Sequence, residues 1–432
     1  MGRHLGGECR PPRRGAGRPG ARPGRFRGAG GLVRGLLTIL FLLLTLVPAR
    51  ALVLDRDTVW RGELSFSEPV EVPAGVTLRV EPGSRIRFQG SGLTVLGRVH
   101  AREAEFSGAA WTGLVLRGVG VDSLLADCRV SGAATGVRVE SGAPRLEGLT
   151  VENNRIGIEL VRKTDATVSG CRLLRNSRVG LMLKDGATAG VVDCTFEANG
   201  RYGAYIYKSK PRRFAGNTFR DEKVALMLSH YGSDPVIEGN CLTGNDTGVM
   251  VDRAARPRLV GNEISGNRVG LYCYRRSDPQ VAGNRIRDNE IGVLVAYSSY
   301  PVLHGNDLAD NRLAIRLEYQ SIAWERQKGE AARRQESGRG AFGSRPRQTV
   351  GESERRAAVR EGFIDARDNW WGDEATRRLV DLGADGNPDF IHDGRDQATF
   401  EEGGQNWPLD RVRFAPWRGE PVPFKADAGG NP

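Results

Sequence analysis

The residues best suited to chemistry fall on a fixed rhythm. His230, Arg253, Arg275, Tyr297 and Tyr319 follow one another at intervals of 22 or 23 residues, and Asp252 directly precedes Arg253. Tyr205 and Tyr207, and again Tyr272 and Tyr274, sit two apart within the same rhythm. All nine Tyr of the chain lie between 202 and 319. A base, a carboxylate and an Arg held together could take a proton beside a uronate carboxylate while neutralising its charge. His230, Asp252 and Arg275 are therefore the catalytic candidates. The same pattern argues against such chemistry. Asp252 is the one carboxylate among these positions, so neither a Ca²⁺-holding cluster nor the acid pair of a glycosidase is legible. No cofactor is evident; Ca²⁺ enters only if the chain is a lyase. Tyr rings suit the C–H faces of sugars, and Arg suits carboxylate or sulfate groups. Tyr205, Tyr207, Tyr272, Tyr274, Tyr297, Arg253 and Arg275 are accordingly the ligand-binding candidates.

The rhythm belongs to a repeat. Gly or Ala anchors fall at 113, 136, 157, 180, 203, 225, 248, 270, 292 and 314. The first and third residues after each anchor are apolar, as in Leu271 and Cys273 or Val293 and Val295, and the residue between varies. That is period two, a strand with one buried face. A second series runs Cys128, Leu149, Cys171, Cys194, Asn217, Asn240, Asn262, Asn284, Asn306, each followed two residues later by another apolar residue. A third short strand fits between recurring Pro residues, such as Pro257 and Pro279, and the Gly-Asn pairs that follow. Each repeat thus holds three short strands and no helix. Stacked at about 4.8 Å per coil, such repeats form a parallel β-helix. A leucine-rich repeat is the rival at this period, but there Asn follows the strand, and here it precedes it. Inward Asn217, Asn240, Asn262, Asn284 and Asn306 are expected to form a ladder, since an unpaired buried amide is costly.

The N-x-x-G-[IV]-x-[LV] repeat with its Gly-Asn turns resembles the right-handed parallel β-helix repeats of the pectate-lyase-like superfamily. Within it the likeness is to the carbohydrate-binding and sugar-hydrolase group that includes NosD-type periplasmic proteins. The resemblance covers roughly residues 70–375. It implies the right hand, which periodicity does not fix, and a ligand groove on the sheet that carries the Tyr residues. It leaves four functions open: saccharide binding; a scaffold whose aromatic stripe is covered by another segment or partner; a polysaccharide lyase, epimerase or hydrolase; and a NosD-like role in copper handling. In the last, Met182, Met227, Met250 and His230 would be the ligands; otherwise no metal is expected. The Gly-His-Gly and Arg-x-Lys motifs of polygalacturonases are absent, as is the Asp-Pro-His-Asp motif of alginate epimerases. Asp234-Pro235 continues with Val236 and Asp278-Pro279 with Gln280.

The order of segments follows from composition. Residues 1–51 combine an Arg-rich start, an apolar run at 36–47 and an Ala-Arg-Ala site, the marks of a secretory signal peptide. The protein is expected outside the cytoplasm, in the periplasm, on the surface or beyond, with no membrane span after cleavage. The formal charge of +11 is nearly all in this leader, so it gives no case for nucleic acid. Residues 52–110 are expected to form a cap and then irregular first coils, and 111–320 the regular stack. The charged stretch 321–362 reads as a loop, lid or disordered insertion. The Asn-Trp-Trp-Gly stretch within 363–375 resembles the closing coil of bacterial β-helix proteins, and 376–432 reads as a tail laid along the stack. Cys171 and Cys194 share a slot on consecutive coils, about 5 Å apart, so a disulfide is possible there. A polysaccharide or other cell-envelope component is the expected partner, with a protein as the alternative.

Overall fold

A computed structural model describes residues 51–329 and 362–423. Nearly all of the expected signal peptide and most of the charged stretch lie outside the described residues. The three-strand repeat builds three parallel sheets. The first has 14 strands, from Leu52–Val53 through Leu313–Glu318 to Ile391–His392. The second also has 14, from Thr58–Trp60 to Arg411–Arg413, and the third has 11, from Glu63–Phe66 to Arg285–Arg287. Each strand pairs with its copy one coil on, as in Leu271 with Val293 and Tyr272 with Leu294. The chain is a parallel β-helix, and the two inward rows are fully buried: Leu271, Cys273, Val293 and Val295 are each 0% exposed. Like side chains stack along the axis, as Phe196 does on Phe219 with ring centroids 4.4 Å apart.

Regular stacking starts earlier than the sequence suggests. Residues 52–110 are expected to begin with a cap, yet Leu52–Val53, Thr58–Trp60 and Glu63–Phe66 already form the first coil. The cause is a column of large rings, Trp60, Phe66, Phe88 and Trp111, with neighbours 4.8 to 5.7 Å apart. They fill the core where the repeat motif is still weak.

Asn217, Asn240, Asn262, Asn284 and Asn306 form a ladder. Asn262 is typical: its Oδ1 accepts from the backbone N and the Nδ2 of Asn240, and its Nδ2 donates to Ile237 O and to Asn284 Oδ1. Asn369, from the Asn-Trp-Trp-Gly stretch, is the last rung and accepts from Asn306. A second ladder was not anticipated. Asn154, Asn176, Asn199, Asn245, Asn267, Asn289 and Asn311 form it, three or four residues before the anchor. Its signal was the first letter of the repeat motif, which reads equally well as a turn residue.

Glu222 replaces Asn in this second ladder. Its carboxylate accepts from Asn199 N at 3.0 Å and Asn199 Nδ2 at 2.7 Å. Burial pushes its pKa up to about 8, against those donors; Asp221 and Glu197 push the same way. A carboxyl raised in the folded state holds its proton there after the unfolded chain has lost it. Stability contributed by Glu222 is therefore fully present below about pH 4.5 and falls as pH rises towards 8. Glu222→Gln should flatten this decline, so melting curves of parent and variant should separate progressively between those limits, with the variant higher at the alkaline end.

Two further differences concern the end of the chain. The tail does not lie along the stack. Ile391–His392 extends the first sheet and Arg411–Arg413 the second, while Trp371 packs on Phe390 at 5.6 Å, so the tail closes the C-terminal end of the helix. Exposed parallel edges there would otherwise be templates for pairing. Residues 321–329 belong to this closure as well. Ser321 is buried, and Ile322 N donates to Asp410 Oδ1 at 2.9 Å. The possible Cys171–Cys194 bridge is also not present. Both are buried free thiols, and each donates to carbonyls, Cys171 to Leu146 O and Cys194 to Val192 O.

Candidate functional site

The strands of the first sheet place every second side chain outside, and the outer rows carry the candidates. Two residues after the anchor the row runs Met182, Tyr205, Met227, Met250, Tyr272, Leu294, Arg316 and His392 on adjacent strands. Four residues after the anchor it includes Lys184, Tyr207, Ser229, Asp252, Tyr274, Ala296 and Glu318. Five residues after it the backbone turns. His230, Arg253, Arg275, Tyr297 and Tyr319 all take left-handed φ values between 49° and 77°. The repeated left-handed bend lines up these side chains along one margin of the face.

The rings form two runs. Tyr202, Tyr205, Tyr207 and His230 are in contact in turn, at 5.1, 5.9 and 4.6 Å. Tyr272, Tyr274, Tyr297, Tyr319 and Phe400 make the second run, at 5.0 to 5.5 Å. Most of these rings are half-buried against one another, because an edge-to-face neighbour recovers contact that water would not provide. Burial pushes the Tyr205 phenol up to about 12 and raises those of Tyr272 and Tyr297 as well, so these phenols are neutral at ordinary pH. Tyr272 also leans on Val269, Ile291 and Leu294, which form an apolar cluster outside the main core.

The structure does bring the catalytic candidates together, but in a closed arrangement. Asp252 is only 2% exposed. Its two oxygens accept from Arg275 Nε at 2.7 Å and Nη2 at 2.5 Å, and Arg253 Nε stands 3.7 Å away. The Asp252 carboxylate is thereby engaged by Arg275 on both oxygens. His230 Nδ1 lies 2.6 Å from Ser229 Oγ, and its backbone N donates to Asp252 O. Sequence reasoning missed Ser229, although it shares the row of Asp252. It also missed the group upstream, where buried Glu159 pairs with Arg138 and Lys184 at 2.6 and 2.7 Å. Met182 is separated from the adjacent Met227 and Met250 by the Tyr205 strand. Among the described residues no group of three or more His, Cys, Asp or Glu side chains could hold a metal ion.

Besides Lys184 and Arg316 in the outer rows, cations stand on the turn margin of the face. Lys208 stands 5.4 Å from the Tyr207 ring and Arg275 4.6 Å from the Tyr274 ring. Cations over ring faces are attracted by the ring quadrupole, and the rings hold them in place. The result is a strip of half-buried aromatic faces edged by Lys208, Arg253 and Arg275.

A stack of three-strand coils, each contributing one strand to each of three parallel sheets, is a parallel β-helix. Residues 86–242 match the family described as right handed beta helix region, and residues 222–333 match that of the periplasmic copper-binding protein (NosD). Among solved structures the chain is similar to the Azotobacter vinelandii mannuronan C-5 epimerase AlgE4 A-module. The identity is 15%, over 62% of this chain and 83% of that one, with a TM-score of 0.40. It is also similar to the periplasmic alginate epimerase AlgG, at 14% identity over 62% and 72% of the two chains with a TM-score of 0.38. No curated protein matches the sequence.

Proposed function

We propose that this is an exported binding protein that holds an extended anionic saccharide along the outer face of its first sheet and does not modify it. The observation that carries the reading is the pair of Tyr runs on one face, bordered by Lys208, Arg253 and Arg275. The coil rise of about 4.8 Å is of the order of one sugar residue, so equivalent contacts recur along a chain. Ring faces supply apolar contact to sugar C–H groups, and the cations attract the carboxylates. The leader sequence and the match to a periplasmic family support export. Among the described residues no helix is long and apolar enough to cross a membrane.

The variants that test this are chosen by burial. Arg275→Ala would strand the buried Asp252 carboxylate and cost roughly 3–5 kcal/mol of stability. Tyr272→Ala would open the outer apolar cluster. Tyr207→Ala combined with Tyr274→Ala is the cleaner pair, and should weaken binding to polygalacturonate by roughly tenfold, at about 0.5–1.5 kcal/mol per ring. Arg253→Ala should weaken it more at low salt than at high salt, since exposed attraction is screened. Calorimetric titration reads both, and a double Tyr variant that binds like the parent removes the strip as the saccharide site.

A second reading has one observation in its favour. At the C-terminal end the strip is already covered by the chain itself, Tyr319 packing edge-on against Phe400. If the whole strip is a seat for a protein partner, polygalacturonate is not bound at any ionic strength.

A further inference from the structure

The outer row of the first sheet ends in Arg316 and His392, which are paired on the last two strands. Beyond them a hairpin, Thr399–Glu402 with Gln405–Pro408, stands against the face, with Phe400 on the ring of Tyr319 at 5.5 Å. Between hairpin and sheet lies a cleft of about 410 Å³, lined by Arg316, Glu318, Tyr319, His392, Gln397 and Glu401 among others. Arg316 Nη2 is tied to Glu318 Oε1 at 2.9 Å, but Arg316 Nε is buried and has no hydrogen-bond partner within the protein. A buried donor without a partner costs about 1–3 kcal/mol, and a ligand atom can supply what is missing.

The chemistry of this cleft differs from that of the strip leading to it. The strip is edged by cations. The cleft sets Arg316 against two carboxylates, Glu318 and Glu401, with the Gln397 amide and the His392 ring beside them. Carboxylates repel an anion but accept from hydroxyl groups, while the Arg316 Nε–H and an amide N–H donate to hydroxyl oxygens. The Tyr319 ring offers a flat wall. The lining therefore fits a hydroxyl-rich ring, and the hairpin stands across the path by which a chain would continue.

We propose that the cleft is a terminal subsite: it holds the last sugar residue of a chain by its hydroxyls, with the rest of the chain lying back along the first sheet. This rests on the saccharide-binding face proposed above. The protein would then recognise chain ends and not chain interiors.

Oligogalacturonates of defined short and long lengths, each ending in a neutral hexose residue, test it with the full-length exported protein. Expected are one bound protein per chain at every length, by analytical ultracentrifugation, and an affinity per chain that rises with length only until the chain spans the Tyr face and is constant beyond it. Glu401 is exposed, so Glu401→Gln should leave the melting temperature unchanged while weakening binding at every length by roughly tenfold. A number of bound proteins that rises with chain length, with Glu401→Gln binding like the parent, overturns the subsite. In that case loss of binding in the double Tyr variant still upholds the face. Absence of binding at every length overturns both.

Discussion

Ile286→Asp should unfold the stack or leave it several kcal/mol less stable, whereas Arg287→Asp, one residue away, should cost about 1 kcal/mol. Ile286 is 0% exposed and pairs with Ile264 on the previous coil. Its side chain packs so closely under Gly270 that a Cβ built there would stand 3.1 Å from Ile286 Cγ2. A carboxylate in that place has neither partner nor water, and burying such a group is among the few single changes that exceed about 4 kcal/mol. Arg287 points outward and bonds Asp288 and Asp310 at 3.0 and 3.3 Å. Exposed pairs of this kind contribute about 0–1 kcal/mol, and Asp in their place adds a modest like-charge repulsion. Urea denaturation of both variants decides the matter; equal losses would mean that the strand's inside and outside are exchanged.

That contrast shows why the fold was legible in the sequence. A strand that buries one face must alternate, and a stack must repeat the alternation at fixed intervals, so the inward rows could be read from Leu271, Cys273, Val293 and Val295 alone. The Asn217–Asn306 series was legible for the same reason: an amide repeated at one inward place has few partners except its own copies. The first coil was less so. Its core depends on Trp60, Phe66 and Phe88 meeting as large rings, and ring contact has no period. The tail was misread because its two short strands, at 391–392 and 411–413, are too brief to show alternation. They are held by the open edges they cover.

The candidate site was legible in its rows and not in its contacts. Alternation put Tyr205, Tyr207, Tyr272 and Tyr274 outside correctly. It gave no warning that the outside of a dense stack can itself be nearly dry. Asp252 at 2% exposure and Ser229 at 1% lie on the outer face. Neighbouring coils are close enough for long side chains to roof over short ones, and Arg275 reaches back one coil to do so. Asp252 therefore reads in the sequence as an available carboxylate and stands in the structure as an engaged one.

Asn262→Leu should cost about 4 kcal/mol although it keeps the side-chain volume and removes a polar group from the core. Leu149 holds the corresponding place in an early coil, so the shape alone is acceptable to the fold. The loss comes from what Asn262 leaves behind. Its Oδ1 accepts from the backbone N of Asn240 at 3.0 Å, and its Nδ2 donates to Ile237 O at 2.9 Å. With Leu in place both backbone groups are buried without these partners, at about 1–3 kcal/mol each. The Nδ2 of Asn240 retains Glu238 O at 3.1 Å, and Asn284 Oδ1 retains the backbone N of residue 262, so neither is orphaned. Leu's own apolar transfer offsets part of the loss. Asn240→Leu should cost a similar amount, by the same reasoning applied to Asn217 N and Phe214 O. The two together should cost less than their sum, because the Asn240 Nδ2 to Asn262 Oδ1 bond is lost only once. Urea titration of the two single variants and the double variant measures the coupling directly. Costs that simply add would mean that each rung is stabilised by its own coil and that the amides do not act as a ladder.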